Sequence, residues 1–383
     1  MIETQKEQER ALLVGVELQQ TDNFDMSMEE LASLAKTAGA LVKGVYTQKR
    51  EKYDSKTFVG SGKLDEIAQM VEADEIDTVI VNNRLTPRQN VNLEEILGVK
   101  VIDRMQLILD IFAMRARSHE GKLQVHLAQL KYMLPRLVGQ GIMLSRQAGG
   151  IGSRGPGESQ LELNRRSIRN QIHDIERQLK MVEKNRSTVR ERRLQSGIFK
   201  IGLIGYTNAG KSTLFNRLTR GGVYAADQLF ATLDTTARRC FVGGDVEVVL
   251  SDTVGFIRGL PHQLIEAFKS TLDEAAQADL LLHVVDSSTP AREEQMAEVN
   301  KVLEEIGAKD IPQLLVFNKI DLEGRSPFIT CAEDGTPKAV GISAANGEGI
   351  DLLKDAIRQI AEKEPEEPQE APDNEDWLAE FER

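Results

Sequence analysis

Gly205-Tyr206-Thr207-Asn208-Ala209-Gly210-Lys211-Ser212 follows the apolar run Lys200-Ile201-Gly202-Leu203-Ile204 and precedes Thr213-Leu214-Phe215-Asn216-Arg217-Leu218. Strand, glycine-rich turn and helix in this order make a phosphate-binding loop, whose backbone N–H groups and helix N-terminus face the phosphates. Lys211 is then placed to reach the β- and γ-phosphates as a point charge, and the Ser212 hydroxyl to take one position on Mg²⁺. Thr213, next in the helix, completes the expected phosphate contacts.

Downstream, Asp252-Thr253-Val254-Gly255 follows the strand-like Val246-Glu247-Val248-Val249-Leu250. Asp252 occupies the carboxylate position that holds Mg²⁺ through water, and Gly255 can offer its N–H to a γ-phosphate. After the apolar run Leu280-Leu281-Leu282-His283-Val284-Val285, the run Gln313-Leu314-Leu315-Val316-Phe317 delivers Asn318, Lys319 and Asp321 to a strand's carboxyl end, where open α/β sheets bind ligands. A carboxylate at Asp321 can accept from guanine N1–H and the 2-amino group, which adenine does not offer in that geometry. The stem of Lys319 is expected to lie along the base. The strand Ala339-Val340-Gly341-Ile342 leads into Ser343-Ala344-Ala345, whose backbone N–H groups are candidates for the guanine O6. The order of these elements predicts a switch that binds and hydrolyses GTP.

Between the two phosphate elements lies Phe230-Ala231-Thr232-Leu233-Asp234. Thr232 is the expected switch threonine: its hydroxyl would ligate Mg²⁺ and its N–H meet the γ-phosphate, ordering the loop when GTP is bound. Thr235 and Thr236 are the alternatives. After Gly255 stands Phe256, which cannot orient an attacking water, so slow intrinsic turnover is expected unless a partner, a cation or a rearranged switch supplies the missing stabilisation. Phe256 packing beneath the switch is the plainer reading. Asn208, four positions before Ser212, is a candidate carbonyl ligand for K⁺ beside the phosphates. The catalytic set is thus Lys211, Thr232, Gly255 and Asn208.

At 383 residues the chain has room for two or three domains. Its two cysteines, Cys240 and Cys331, form no C-x-x-C pair, which implies neither a disulfide framework nor a zinc site and favours a reducing, cytoplasmic location. No run of 18 apolar residues occurs, and the charged N-terminus lacks the apolar core of a signal peptide, so no membrane insertion is expected. The net charge of −12 is unevenly spread: Met105 to Gly197 carries 17 Lys and Arg against 8 Asp and Glu, a balance of +9 that leaves −21 for the remainder. A basic module within an acidic protein points to a nucleic-acid surface; a solvated helix face is the alternative.

Residues 1–104 read as a small α/β unit with a mostly parallel sheet. Strands are expected at Ala11–Leu18, Leu41–Thr47, Asp77–Val81 and Lys100–Ile102, and helices at Ser27–Ala38, Leu64–Glu72 and Thr86–Leu97. Within this unit, Val59-Gly60-Ser61-Gly62-Lys63 is half a phosphate loop without the full spacing, and reads better as a turn before a helix. In residues 105–197, Leu123, Leu127, Leu130, Leu134 and Leu137, then Ile168, Ile172, Ile175, Leu179 and Val182, recur at alternating spacings of four and three. This is the seam of two long helices, with a kink expected at Pro135. Between them Gly139 to Gly157 holds seven glycines with Arg146 and Arg154. It predicts a mobile, positively charged tip for RNA phosphates, or a plain flexible connector. Residues 198–361 form the nucleotide-binding domain. Residues 362–383, with 10 acidic and 2 basic residues, are expected to be a disordered tail in which Trp377 and Phe381 are the apolar points.

The chain resembles the HflX family of bacterial ribosome-associated GTPases. The resemblance is carried by Phe58-Val59-Gly60-Ser61-Gly62-Lys63, Val101-Ile102-Asp103-Arg104, Leu107-Ile108-Leu109-Asp110-Ile111-Phe112, Gly149-Gly150-Ile151-Gly152-Ser153-Arg154-Gly155-Pro156-Gly157-Glu158, Gly205 to Asn216, Tyr224 to Asp234 and Asp252-Thr253-Val254-Gly255-Phe256-Ile257. It implies an N-terminal domain with an α/β part and a long antiparallel helical hairpin, joined to a Ras-like P-loop G domain. It further implies binding to the 50S subunit, with the Gly/Arg loop near the peptidyl-transferase region of 23S rRNA, and splitting of stalled 70S ribosomes under stress. Stimulation by the ribosome would then supply what Phe256 cannot. Similar proteins are also described as binding ATP in the N-terminal domain, which makes Gly60 to Lys63 a secondary candidate. Thr235 stands where many similar chains have proline, and an extra C-terminal domain of some members is replaced by the acidic tail. A ribosome-assembly GTPase and an ATP-binding RNA chaperone or helicase-like factor are the alternative readings.

Overall fold

The computed structural model describes residues 8–19, 23–147, 156–194, 198–219, 229–230, 232–233, 236–244, 246–259, 272 and 275–363, with backbone alone at 138–147, 156–161, 183 and 185–194. The first unit runs β1 (Arg10–Leu18), α1 (Phe24–Thr37), β2 (Leu41–Arg50), α2 (Ser61–Ala73), β3 (Thr78–Val81), α3 (Pro87–Leu97), β4 (Lys100–Asp103) and α4 (Arg104–Arg115). Its sheet is parallel throughout, in the order β2-β1-β3-β4. Period-two alternation divides its core: Leu13, Ile80 and Ile102 face α1 and α4, while Leu12, Val14, Val79, Val81 and Val101 face α2 and α3. Helix α3 starts on a capping box of Thr86 and Gln89 with Pro87 in its first turn, and stops at Gly98, φ 68°. Met105, Leu107, Ile108, Leu109, Ile111 and Phe112 of α4 are buried in the cluster with α1, so the helix that opens the basic segment packs with the N-terminal sheet.

Helices α5 (His119–Gln147) and α6 (Pro156–Leu194) pack side by side along the expected seam, Leu123, Leu127 and Leu130 meeting Ile168, Ile172, Ile175 and Leu179. Lys131 pairs with Glu176 across it at 3.0 Å. Fully buried Asp103 roots the pair in the first unit: it caps α4 through Gln106 N–H and accepts from Leu85 N–H, Tyr132 Oη (2.6 Å) and Arg136 Nη2 (2.6 Å). Burial, then the Asp103 carboxylate, pushes the Tyr132 phenol well above its usual range. One expectation needs correction. Helix α5 runs through Gly139 and Gly141 to Gln147, so Arg146 sits in its last turn rather than in a loop. Two glycines cost a helix about 1 kcal/mol each, a small penalty once the helix is nucleated and followed by Ile142-Met143-Leu144. Pro135 lies inside α5. Arg154 lies outside the described residues.

The second unit adds β5 (Phe199–Gly205), α7 (Lys211–Thr219), β6 (Thr236–Phe241), β7 (Glu247–Asp252), β8 (Leu280–Asp286), α8 (Arg292–Glu305), β9 (Gln313–Asn318), β10 (Phe328–Cys331), β11 (Pro337–Gly341) and α9 (Ile350–Glu362). The strand order is β10-β11-β9-β8-β5-β7-β6, parallel except for the β6–β7 and β10–β11 pairs at the two edges. Helices α7 and α9 cover one face and α8 the other. The carboxyl ends of β5, β7, β8 and β9 therefore deliver Gly205, Asp252, Asp286 and Asn318 to one rim.

Candidate functional site

Between β5 and α7 the chain adopts a conformation that few residues tolerate: Gly205 has φ 147°, Asn208 62° and Gly210 94°. A Cβ at Gly205 would overlap the Val284 carbonyl, and one at Gly210 the Asn318 amide. Lys211 is buried in the loop's mouth, its Nζ donating to the carbonyls of Gly205 (2.9 Å) and Tyr206 (2.8 Å). Burial lowers its pKa to about 8, against the opposing pull of Asp252. Ser212 donates to Asp252 Oδ2 at 3.0 Å and shares a 2.7 Å hydrogen bond with Thr232 Oγ1. The structure thus brings together three groups spread over 40 residues of the chain. Thr236, by contrast, lies in β6, opposite Asp252. Ala231, Asp234 and Thr235 fall outside the described residues.

The second half of the rim is tied to the first through Asn318. Its Nδ2 donates to the Ala209 carbonyl (2.8 Å) and its Oδ1 accepts from Ala344 N–H (2.9 Å). Arg217 of α7 donates to the carbonyls of Ala344 and Ala345. Lys319, at φ 64°, pairs with Asp286 at 2.7 Å. Asp286 was not anticipated; its only signal in the sequence is its place at the end of the β8 run. Three side-chain oxygens around this rim are buried without a hydrogen-bond partner: Thr207 Oγ1, Asp252 Oδ1 and Asp321 Oδ1. Such orphaned acceptors are costly unless a ligand or its water completes them. They suit a phosphate-bound magnesium ion at Asp252 and a base with two donors at Asp321.

Phe256 is buried with Ile204, Leu272 and Leu281, while its backbone bonds to Gly205 and Thr207. It therefore packs beneath the segment, and Gly255 is left beside Lys211 and Thr207.

Sequence reasoning missed the contact of this rim with the first unit. Tyr206 Oη donates to Glu30 Oε1 (2.7 Å) and accepts from Arg258 N–H (2.6 Å). Glu30 also pairs with Arg104 (2.6 Å), which reaches the Arg258 carbonyl (3.4 Å). Burial and the Glu30 carboxylate hold the Tyr206 phenol far above its usual range. Leu229, Phe230, Leu233, Val254 and Ile257, which flank Thr232 and Gly255, sit in the same cluster as α1 and α4. Phe230 meets Phe112 edge-on at 4.6 Å.

Fold and rim together define a P-loop guanine-nucleotide-binding protein. Residues 25–113, 115–193 and 200–319 match three family models in succession: the N-terminal region of GTP-binding GTPases, their middle region, and a 50S ribosome-binding GTPase domain. The chain is 51% identical over 366 residues to GTPase HflX of Caldanaerobacter subterraneus subsp. tengcongensis, covering 96% of this chain and 84% of that one. Against GTPase HflX of Escherichia coli it is 51% identical over 352 residues, covering 92% and 82%. The crystal structure of SsGBP in complex with GDP aligns at a TM-score of 0.52 and 28% identity, over 92% of this chain and 98% of that one. The chain belongs to the HflX family of GTPases. No helix among the described residues is long and apolar enough to cross a membrane.

Proposed function

We propose that this protein hydrolyses GTP at the Gly205–Ser212 rim and uses the nucleotide state to set its affinity for the large ribosomal subunit. The orphaned Thr207, Asp252 and Asp321 oxygens, set around one rim, carry this reading. In this scheme the loop N–H groups from Tyr206 to Thr213 cradle the phosphates and Lys211 exchanges its two carbonyl partners for phosphate oxygens. Ser212 and Thr232 would hold Mg²⁺ and Asp252 would do so through water; when bound, the ion would supply neutralisation of phosphate charge. Gly255 N–H meets the γ-phosphate. Asn318, Lys319 and Asp321 read guanine with the Ala345 N–H at its O6, because the Ser343 and Ala344 N–H groups are already spent on the Glu348 carbonyl and Asn318 Oδ1, and Asn208 would help to hold K⁺. Because Phe256 orients no water, turnover depends on the ribosome.

Residues on both sides of Thr232 and Gly255 rest on the first unit, so ordering them around GTP must be felt by α1 and α4. The family model's description as a 50S ribosome-binding GTPase and the basic balance of residues 105–197 favour 23S rRNA as the partner, with Arg146 and Arg154 as contacts and the splitting of stalled 70S ribosomes under stress as the outcome. The test is GTP hydrolysis in K⁺ buffer with and without 50S subunits and 70S ribosomes, beside sucrose-gradient profiles. Strong stimulation with loss of the 70S peak is expected. A preference for precursor particles would favour an assembly role, and no stimulation or particle binding would contradict the reading. Replacing K⁺ by Na⁺ without loss of rate would remove the role given to Asn208.

A further inference from the structure

The α5–α6 seam uses one face of α6. On its outer side Arg166, Lys180, Met181 and Lys184 are exposed, Met181 at 57%. From Lys180 to the end of α6 the sequence carries six basic residues, Lys180, Lys184, Arg186, Arg190, Arg192 and Arg193, against Glu183 and Glu191. The rest of the protein outside residues 105–197 is strongly acidic, so this is where the chain concentrates positive charge.

Residues 364–383 lie outside the described part of the structure, and their sequence contains nine acidic residues and one arginine. They also hold Trp377, the chain's single tryptophan, with Leu378 and Phe381. Where this segment begins is fixed by α9. Ile360 in its last turn and Phe199 at the start of β5 pack on the same cluster. Arg358 lies beside Gly243 in the β6–β7 turn, and Phe199 is registered against Val248 of β7. The acidic segment thus leaves the G domain at the end of the sheet where α6 arrives, five residues before Phe199. Twenty extended residues reach about 65 Å, and a 39-residue helix is about 58 Å long.

We propose that the segment 364–383 docks on the outer face of the C-terminal half of α6, with its carboxylates beside Arg177, Lys180 and Lys184, which share that exposed face with Met181. Trp377 covers Met181, a favourable sulfur–aromatic contact. Tethering gives such a segment an effective concentration in the millimolar range. That is enough to compete with non-specific RNA binding, whose dissociation constants are about 10⁻⁴ to 10⁻⁶ M, and not with a tight specific site. The tail would then act as a filter that specific RNA, or non-specific RNA in large excess, displaces, a consequence that rests on the RNA-binding reading above; the docking itself does not.

The single tryptophan supplies the test. Acrylamide quenching and the emission maximum of Trp377 are measured in the full chain and in a synthetic peptide of residues 364–383, at about 25 mM and about 500 mM KCl, with and without poly(U). At low salt the chain should quench about threefold less than the peptide and emit further to the blue, as expected for a ring held on a protein surface. High salt, a large excess of poly(U) or the triple variant Arg177→Glu, Lys180→Glu, Lys184→Glu should abolish the difference. If that variant does not fold by circular dichroism, Glu366→Gln, Glu367→Gln, Glu370→Gln carries the same test from the other side. Peptide-like quenching at every salt concentration overturns the proposal, as does shielding that survives both salt and charge reversal. Shielding that salt and charge reversal remove, but poly(U) does not, upholds the docking and contradicts the RNA reading.

Discussion

Gly60-Ser61-Gly62-Lys63 and Gly205-Tyr206-Thr207-Asn208-Ala209-Gly210-Lys211-Ser212 both set a glycine and a lysine at the head of a helix, and they differ in everything that makes a phosphate site. In the shorter turn Gly60 has φ −70° and its N–H is already spent on Gln48 Oε1 at 2.9 Å. Lys63 pairs with Glu66 at 2.6 Å on the surface of α2. In the longer loop three residues hold positive φ, the lysine is buried against backbone carbonyls, and an adjoining carboxylate has an unpartnered oxygen. Composition is shared; loop length and backbone conformation are not. The residues that curl a loop around a phosphate must be present before the lysine has anywhere to point.

The largest effect that separates the two turns is on turnover. Lys211→Ala should lower GTP hydrolysis about 10²–10³-fold, whereas Lys63→Ala should leave it within about twofold, since its surface ion pair is worth little. Base recognition sharpens the contrast: Asp321→Asn should weaken GTP binding about 100-fold or more, because a buried site built for two donors is left mismatched. Xanthosine triphosphate, which carries an oxygen where guanine has its 2-amino group, should regain part of that loss in competition assays. The glycines respond in opposite directions. Gly210→Ala, at φ 94°, should cost about 1–3 kcal/mol of strain and a corresponding ten- to hundredfold in nucleotide affinity. Gly62→Ala sits in a helix with no atom near the new methyl group and should raise the unfolding free energy by about 1 kcal/mol in urea titrations.

A smaller difference lies in the sheets beneath the turns. Residues 1–104 contain no histidine, whereas β8 carries His283, whose Nδ1 has no partner and whose pKa burial lowers to about 4. Between that value and the ordinary 6.5 the unfolded chain takes up a proton that the folded chain refuses, so stability falls as pH drops through this window. Thermal melts of wild type at pH 6.5 and pH 4.5 should differ more than those of His283→Leu.

The sequence made much of the second unit legible, because each strand that reaches the rim is a run of buried aliphatics ending in a residue with a chemical task. Edge strands β6 and β10 went unread: Thr236-Ala237-Arg238-Arg239 and Phe328-Ile329-Thr330-Cys331 are mostly exposed and lack the alternation that marks a half-buried strand. The end of α5 went unread for another reason, since two glycines look like a loop until the helix around them is seen to continue. Tyr206 could not have been assigned to Glu30 from spacing, because the two are 176 residues apart and belong to separate motifs. That contact is open to test: Tyr206→Phe leaves the 12%-exposed Glu30 carboxylate short of a donor and should cost about 1–3 kcal/mol of stability by denaturant titration.

The most direct test of the comparison is equilibrium binding of fluorescent GTP and ATP analogues, with Mg²⁺ present, to the wild-type chain and to Lys63→Ala and Lys211→Ala. Binding of the GTP analogue that Lys63→Ala leaves intact and Lys211→Ala removes is the predicted result. Loss of GTP binding in Lys63→Ala, or its retention at full strength in Lys211→Ala, would contradict the assignment of phosphate binding to the Gly205–Ser212 loop.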